Sequence, residues 1–469
     1  MDHPIHAGAL GVRHGAYMPQ PANQNRAIKT AIPGPKSQAL RTREDAHLAP
    51  GAQGYALMAG IVVDHAEGTS ITDVDGNVFL DFIGGIAVGA LGHSHPSWVD
   101  SLHKQVARAA VGSLTSEARV ELLERFSRHA PANGVHRLQL YSGGAEAVES
   151  ALRLAKSHTA KYEFVSCWGG FHGKTMGALS LMGSTFKDKL GPMVPGSHQV
   201  PYADCYRCPI GASYPSCGIA CADVARKYLK VATAGSVAAM IVEPMQGTAG
   251  NITPPTEFLP AMRSIATEIG ALFIADEMIT GLGRTGAWWG VHHTGVNPDI
   301  VTIGKAVGGG FPLSALATTD EISQAKPWSN ASGSSSSYGG NPLAAAAGAA
   351  SLRIIEEENL VENSRRVGAK MLAELETWVD RYPFVGYVSG SGMFMRVELV
   401  SDKKTKTELP RKVTERIFNE CVRRGLLTMS YSAHFRIQPP LTTDEATAMN
   451  GLAILKEVFD FVEAEGWWR

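Results

Sequence analysis

No stretch of the chain approaches the roughly 20 apolar residues needed to cross a bilayer, which excludes an integral helical membrane protein. An excess of one charge sign is also missing: 43 basic residues stand against 44 acidic ones in 469. Such balance gives no electrostatic case for nucleic acid or an anionic membrane surface as partner. The N-terminus, Met1 to about Thr30, mixes His, Gln, Asn and Pro without a continuous apolar core and does not read as a secretory signal. The expectation is a soluble, cytoplasmic protein. Cysteine is scarce, with six in all, yet four crowd together as Cys205, Cys208, Cys217 and Cys221. The first pair encloses two residues and the second three, a spacing that could bind zinc. The other reading is an irregular surface loop, punctuated by Pro209, Gly211, Pro215 and Gly218, whose thiols are reduced, packed or locally bridged. No metal is assigned to the chemistry, because the loop supplies nothing the remaining motifs require.

Glycine and apolar residues, in contrast, are plentiful: 50 glycines and a 44% hydrophobic composition. The length allows a large buried core and predicts at least two domains. Short apolar runs at Arg137–Tyr141, Glu163–Cys167, Ala238–Val242, Leu272–Ala275, Val301–Ile303 and Ser314–Thr318 alternate with helical patterns such as Ala147–Ser157 and Leu259–Ile269. This reads as an α/β fold with a mostly parallel sheet buried on both faces. Before it, Asp75-Gly76-Asn77 marks a hairpin turn. After about Leu360, helices alternate with strand-like pieces such as Met393–Leu399. We expect residues 96–355 to form the large domain. Residues 1–95 and 356–469 should together build a smaller α+β domain.

Ligands of such sheets bind beyond the carboxyl ends of the strands, so the residues following each run are the informative ones. Ser142-Gly143-Gly144-Ala145-Glu146 runs from a strand directly into a helix, and its small residues let backbone amides close on an anion at a helix N-terminus. Trp168-Gly169-Gly170-Phe171-His172-Gly173 sets an aromatic ring and a histidine where a planar heterocycle could stack, although a packed loop would look the same. Asp276 ends a buried apolar strand, which is costly unless the acid is paired. A pyridinium nitrogen would pair it, and so would a helix cap or a structural ion pair. Lys305 lies at another strand edge, in Gly304-Lys305-Ala306. Desolvation lowers a lysine pKa, and the neutral amine is the form that attacks an aldehyde.

In this order, phosphate cup, aromatic, strand-end Asp and strand-end Lys resemble the fold-type I pyridoxal-phosphate enzymes. The resemblance is narrower still to the class III aminotransferases of the 4-aminobutyrate and omega-aminotransferase kind. It is carried by Leu272-Phe273-Ile274-Ala275-Asp276-Glu277-Met278-Ile279-Thr280-Gly281 and its continuation to Gly286, and by Pro298-Asp299-Ile300-Val301-Thr302-Ile303-Gly304-Lys305. Gly92-His93-Ser94-His95-Pro96, Glu243-Pro244-Met245-Gln246-Gly247 and Tyr338-Gly339-Gly340-Asn341-Pro342 add to it, so that it covers about Ile71 to the C-terminus.

The resemblance implies a seven-stranded, mostly parallel sheet in the large domain and pyridoxal 5′-phosphate as cofactor. Lys305 would hold the cofactor as a Schiff base and shuttle the proton between Cα and C4′, with Asp276 on the pyridine nitrogen. Phe171 would stack on the ring and Met278 would touch its other face, where relatives usually carry Val. Backbone amides of Gly144 and Ala145 would bind phosphate, with Ala145 replacing the Ser or Thr of many relatives. His172 and Glu243 belong to the same cofactor-binding set. Ser337, more usually Thr, would reach the phosphate of a neighbouring subunit, implying a homodimer with shared active sites that can pair further into a tetramer. Arg436 matches the arginine that grips an α-carboxylate. Relatives acting on terminal amines carry a glutamate that covers this arginine, and Thr248 stands in its place. The implied reaction moves an amino group from an amine or amino acid to a 2-oxo acid such as pyruvate or 2-oxoglutarate. A racemase or epimerase on the same lysine is the alternative, ahead of a decarboxylase. A non-catalytic cofactor-sensing module fits poorly with intact Lys305 and Asp276.

Overall fold

A computed structural model describes residues 27–469; the remainder of the stretch from Met1 to Thr30 lies outside the described residues. Near the N-terminus, β1 (Val63–Glu67), β2 (Ser70–Asp73) and β3 (Val78–Asp81) form an antiparallel meander. The turn joining β2 to β3 follows from its residues. Gly76 takes a φ of 83°, which favours glycine, and Asp73 Oδ1 accepts the backbone N–H groups of Asp75 and Asn77. The buried Asn77 side chain in turn accepts from the amides of Lys29 and Thr30, tying the preceding segment to the hairpin.

The central sheet contains β4 (Arg137–Tyr141), β5 (Glu163–Cys167), β6 (Ser197–Val200), β7 (Val237–Val242), β8 (Leu272–Asp276), β9 (Ile300–Ile303) and β10 (Ser314–Thr318), in the order β4-β10-β9-β8-β7-β5-β6. β10 runs antiparallel to both its neighbours, and every other pairing is parallel. All six residues of β7, Val-Ala-Ala-Met-Ile-Val, are buried, because helices cover both faces of a parallel sheet. Six of the seven strands coincide with the apolar runs in the sequence to within a residue. The strand without such a run is β6: it lies at the sheet edge, and Ser197-His198-Gln199 are only half-buried, so no apolar period marks it.

Toward the C-terminus, β11 (Val385–Ser391) and β12 (Phe394–Asp402) form a long hairpin, and β12 also pairs with β13 (Thr407–Glu408) and β15 (His434–Ile437). Trp378, Tyr382, Phe384 and Phe459 form an aromatic cluster of edge-to-face and tilted pairs at centroid separations of 5.2–5.7 Å. The short β14 (Leu426–Leu427) pairs in parallel with β3, so residues from both ends of the chain share one sheet.

Arg284 joins the central sheet to this region. Its buried guanidinium donates from Nη1 to the carbonyls of Met393, at 3.2 Å, and of Pro439. These carbonyls precede β12 and follow β15. Replacing Arg284 with Ala leaves both without a donor and opens a void, so the expected loss is about 3 kcal/mol of unfolding free energy. Urea unfolding of Arg284→Ala against the parent measures it; an unchanged midpoint would contradict this role.

Candidate active site

A cavity of about 410 Å³ opens at the carboxyl ends of the central strands. Its lining comes from separate strand ends: Ser142, Gly144 and Ala145 after β4, Phe171 and His172 after β5, Asp276 and Met278 at β8, and Lys305 after β9. The helix Gly144–Thr159 begins at the cavity wall. Glu146 folds back so that its Oε2 accepts the amides of Gly143 at 2.8 Å and Ser142 at 3.1 Å. The first helical amides, Gly144 and Ala145, have no intrahelical carbonyl to meet. They are left for an anion, in the positive end of the helix dipole.

Asp276 is buried, and donors surround it: His172 Nδ1 lies 2.7 Å from Oδ2, while Thr302 Oγ1 at 2.9 Å and the amide of Met278 at 3.1 Å reach Oδ1. Burial alone would lower the His172 pKa. The hydrogen bond to Asp276, the charge of that carboxylate and the nearby Glu243 outweigh burial and raise it. The His172 Nε2 is buried and meets no hydrogen-bond partner among the described residues. Lys305 follows an extended Gly304 and adopts a φ of 46°, a left-handed conformation that costs energy for a residue with a Cβ. Burial pushes its amine pKa down, Asp276 and Glu243 partly restore it, and Arg436 lowers it further. A lowered pKa favours the neutral, nucleophilic amine.

Glu243 lies behind Phe171. Its Oε1 accepts the Phe171 amide at 2.9 Å and its Oε2 the Gly247 amide at 3.0 Å. Burial raises its carboxyl pKa to about 7, against the lowering influence of His172 and with Asp276 adding to the rise. Met278 packs its sulfur against two glycines: a Cβ on either Gly144 or Gly304 would collide with it. Arg436, on β15, is buried and donates from Nη1 to the Gly247 carbonyl at 3.2 Å. Burial lowers its pKa, opposed by a hydrogen bond from the guanidinium to Tyr431. Among the described residues it shows only these neutral hydrogen-bond partners, and a guanidinium in such a setting has donors suited to pairing with a carboxylate. Thr248 is exposed beside it. Ser337 is exposed on its loop and does not line the cavity.

These residues fit pyridoxal phosphate. Small residues and free amides suit its phosphate, an aromatic side chain its ring, a fixed carboxylate its protonated nitrogen, and a desolvated lysine its aldehyde. The sequence did not single out Thr302, which orients Asp276 from the next strand; it is an ordinary residue type, and only strand register brings it to the site. Tyr431, on Arg436, lies in the 430–434 loop that the sequence marks for specificity.

Residues 51–459 match the family model described as Aminotransferase class-III. The diaminobutyrate–2-oxoglutarate aminotransferase of Rhizobium meliloti (strain 1021) is 33% identical over 413 residues, covering 84% of this chain and 87% of that protein. The leucine/methionine racemase of Thermococcus litoralis is 31% identical over 410 residues, covering 86% of this chain and 92% of that protein. Among solved structures, an amine transaminase from an uncultivated Pseudomonas species in its PLP-bound form superposes with a TM-score of 0.83 at 30% identity, over 88% of this chain and 98% of that one.

Two outcomes follow from the geometry. Asp276→Asn, which keeps the shape and removes the charge, should fold normally and lose about a hundredfold or more in kcat. Wild-type rates in that variant would remove Asp276 from the chemistry. Glu243 binds its proton more tightly in the folded chain, because its pKa is raised from 4.5 to about 7. That contribution to stability is complete below pH 4.5 and is lost as pH rises through about 7. Glu243→Gln should accordingly lose less stability, relative to the parent, at about pH 8 than at about pH 4, on either side of that window, in denaturant titrations. A pH-independent difference would contradict the raised pKa.

Proposed function

The chain belongs to the class III aminotransferases, and from that membership we propose which residues carry its reaction and what kind of substrate they select. As a pyridoxal-phosphate-dependent transaminase, it moves an amino group from an amine or amino acid to a 2-oxo acid. The cofactor supplies an aldehyde carbon that takes up the amino group and a ring that accepts electron density. Lys305 would hold the cofactor, and its amine would move the proton at the substrate carbon. Asp276, held by His172 and Thr302, keeps a proton on the ring nitrogen. Phe171 and Met278 confine the ring, and the amides of Gly144 and Ala145 hold the phosphate. The observation that carries this reading is the convergence of Lys305 and Asp276 from adjacent parallel strands onto one cavity. In the β8–β9 register, Asp276 stands beside Thr302, three residues before the lysine.

Arg436 grips the carboxylate of a 2-oxo acid such as pyruvate or 2-oxoglutarate. With Thr248 where a covering glutamate would stand, it remains available to a carboxylate in both half-reactions, and the donor is an amine or omega-amino acid. Ser337, exposed on the 332–340 loop, completes the phosphate site of a second subunit in a homodimer. Free thiols at all six cysteines support a reducing, cytoplasmic setting.

The test is the absorbance of the purified holoenzyme with single amine donors and no oxo acid. Conversion of the lysine-bound form to the aminated cofactor supports transamination, and the donor panel defines the substrate class. Persistent absorbance with loss of the donor's optical activity would instead assign racemisation, the activity of the Thermococcus relative. Arg436→Ala should raise KM for the oxo acid far more than for the amine. Equal changes in both would remove Arg436 from carboxylate recognition.

A further inference from the structure

The transamination site makes no use of the cysteine-bearing segment between β6 and the helix Ala220–Ala232, and the fold shows what surrounds it. Cys205, Cys208, Cys217 and Cys221 line one small cavity, together with Asp204, Tyr214 and apolar residues such as Ile210 and Ile219. Cys221 lies in the first turn of the helix Ala220–Ala232 and is buried. Tight backbone turns shape both pairs, with the Gly211 amide on the Cys208 carbonyl and the Ala220 amide on the Cys217 carbonyl.

This segment also reaches the C-terminal sheet. Next to Cys205, Asp204 forms a two-pronged ion pair with buried Arg396 at 2.8 and 3.0 Å. Next to Cys208, Arg207 donates to buried Glu398 at 2.8 Å, and Tyr206 stacks on Tyr387 with centroids 4.8 Å apart. Arg396 and Glu398 lie on β12, directly paired with β15 and Arg436.

We propose that Cys205, Cys208, Cys217 and Cys221 form a structural site for one thiophilic divalent cation of the zinc class, which pins the 204–221 segment against β12. The site has four sulfur ligands, in pairs separated by two and by three residues, and no position open for a substrate, as structural tetrahedral sites require. Binding releases the thiol protons to solvent and involves no oxidation. Among the described residues no three such side chains already stand around a common ion position, and all four cysteines are free thiols. The sulfurs therefore close on the ion by rotating about their Cα–Cβ bonds, within the cavity they share. The cation neutralises the mutual repulsion that the four thiolates would otherwise feel.

The experiment is elemental analysis of the full-length enzyme as purified, with thiols counted in denaturant after chelation. Zinc or iron at about one per chain, with all six thiols titratable after its removal, is expected, and the element found identifies the ion. A mercurial thiol reagent should release the metal to a chromophoric chelator. Cys205→Ser/Cys208→Ser and Cys217→Ser/Cys221→Ser should each reduce the metal content at least about tenfold. Metal-free wild-type enzyme after expression in zinc-supplemented medium would overturn the proposal. Fewer than six titratable thiols would overturn it in favour of disulfides, and the full six without metal in favour of packing alone. Because the wild-type measurement decides, a variant that fails to fold does not shield the proposal.

Discussion

A carboxylate buried at the end of a β-strand has to be compensated, and the Asp276 carboxylate organises everything around it. Its partners come from different strand ends. His172 follows β5, Thr302 lies on β9, and the Met278 amide comes from the turn after β8. Each partner brings a second group with it. His172 fixes the loop that presents Phe171, and Thr302 sits on the strand that runs on into Lys305. Glu243, at the end of β7, holds the Phe171 amide from behind. A slip of one residue between β8 and β9 would separate Asp276 from Thr302 and turn side chains to the opposite face. Sheet register and site geometry are thus one constraint, and helices on both faces of the sheet enforce it.

Close packing supplies the other half. The Met278 sulfur rests against Gly144 and Gly304, so the turn after β8 touches both the start of the helix Gly144–Thr159 and the residue before the lysine. Any larger residue at either glycine would force the elements apart. The left-handed backbone of Lys305, just after β9, is a strained feature held by the structure on either side. Arg436 arrives from β15, in the sheet built toward the C-terminus, and its partners, Gly247 and Tyr431, are neutral.

Much of this was legible in the sequence because buried parallel strands write themselves as short apolar runs, and chemistry collects where those runs stop. Asp276 and Lys305 stood out as charged residues at the edges of such runs, and Gly143-Gly144 as small residues entering a helix. The edge strand β6 was not legible: Ser197-His198-Gln199 has no apolar run when one side faces solvent. Thr302 was not legible as a site residue, because a threonine in an apolar strand is ordinary until register places it against Asp276. Nor could spacing alone choose between a metal and a packed loop for the four cysteines. Their convergence on a single cavity, and the grip of Asp204 and Arg207 on β12, are three-dimensional facts.

The most direct test of the central claim is to reduce the holoenzyme with borohydride, digest it and locate the added cofactor mass by peptide mapping. The expected result is cofactor on the peptide containing Lys305 and on no other lysine, with Lys305→Ala leaving the protein unlabelled. Label on a different lysine, or none from a cofactor-saturated wild-type enzyme, would contradict the assignment of this strand-end lysine and the site built around it.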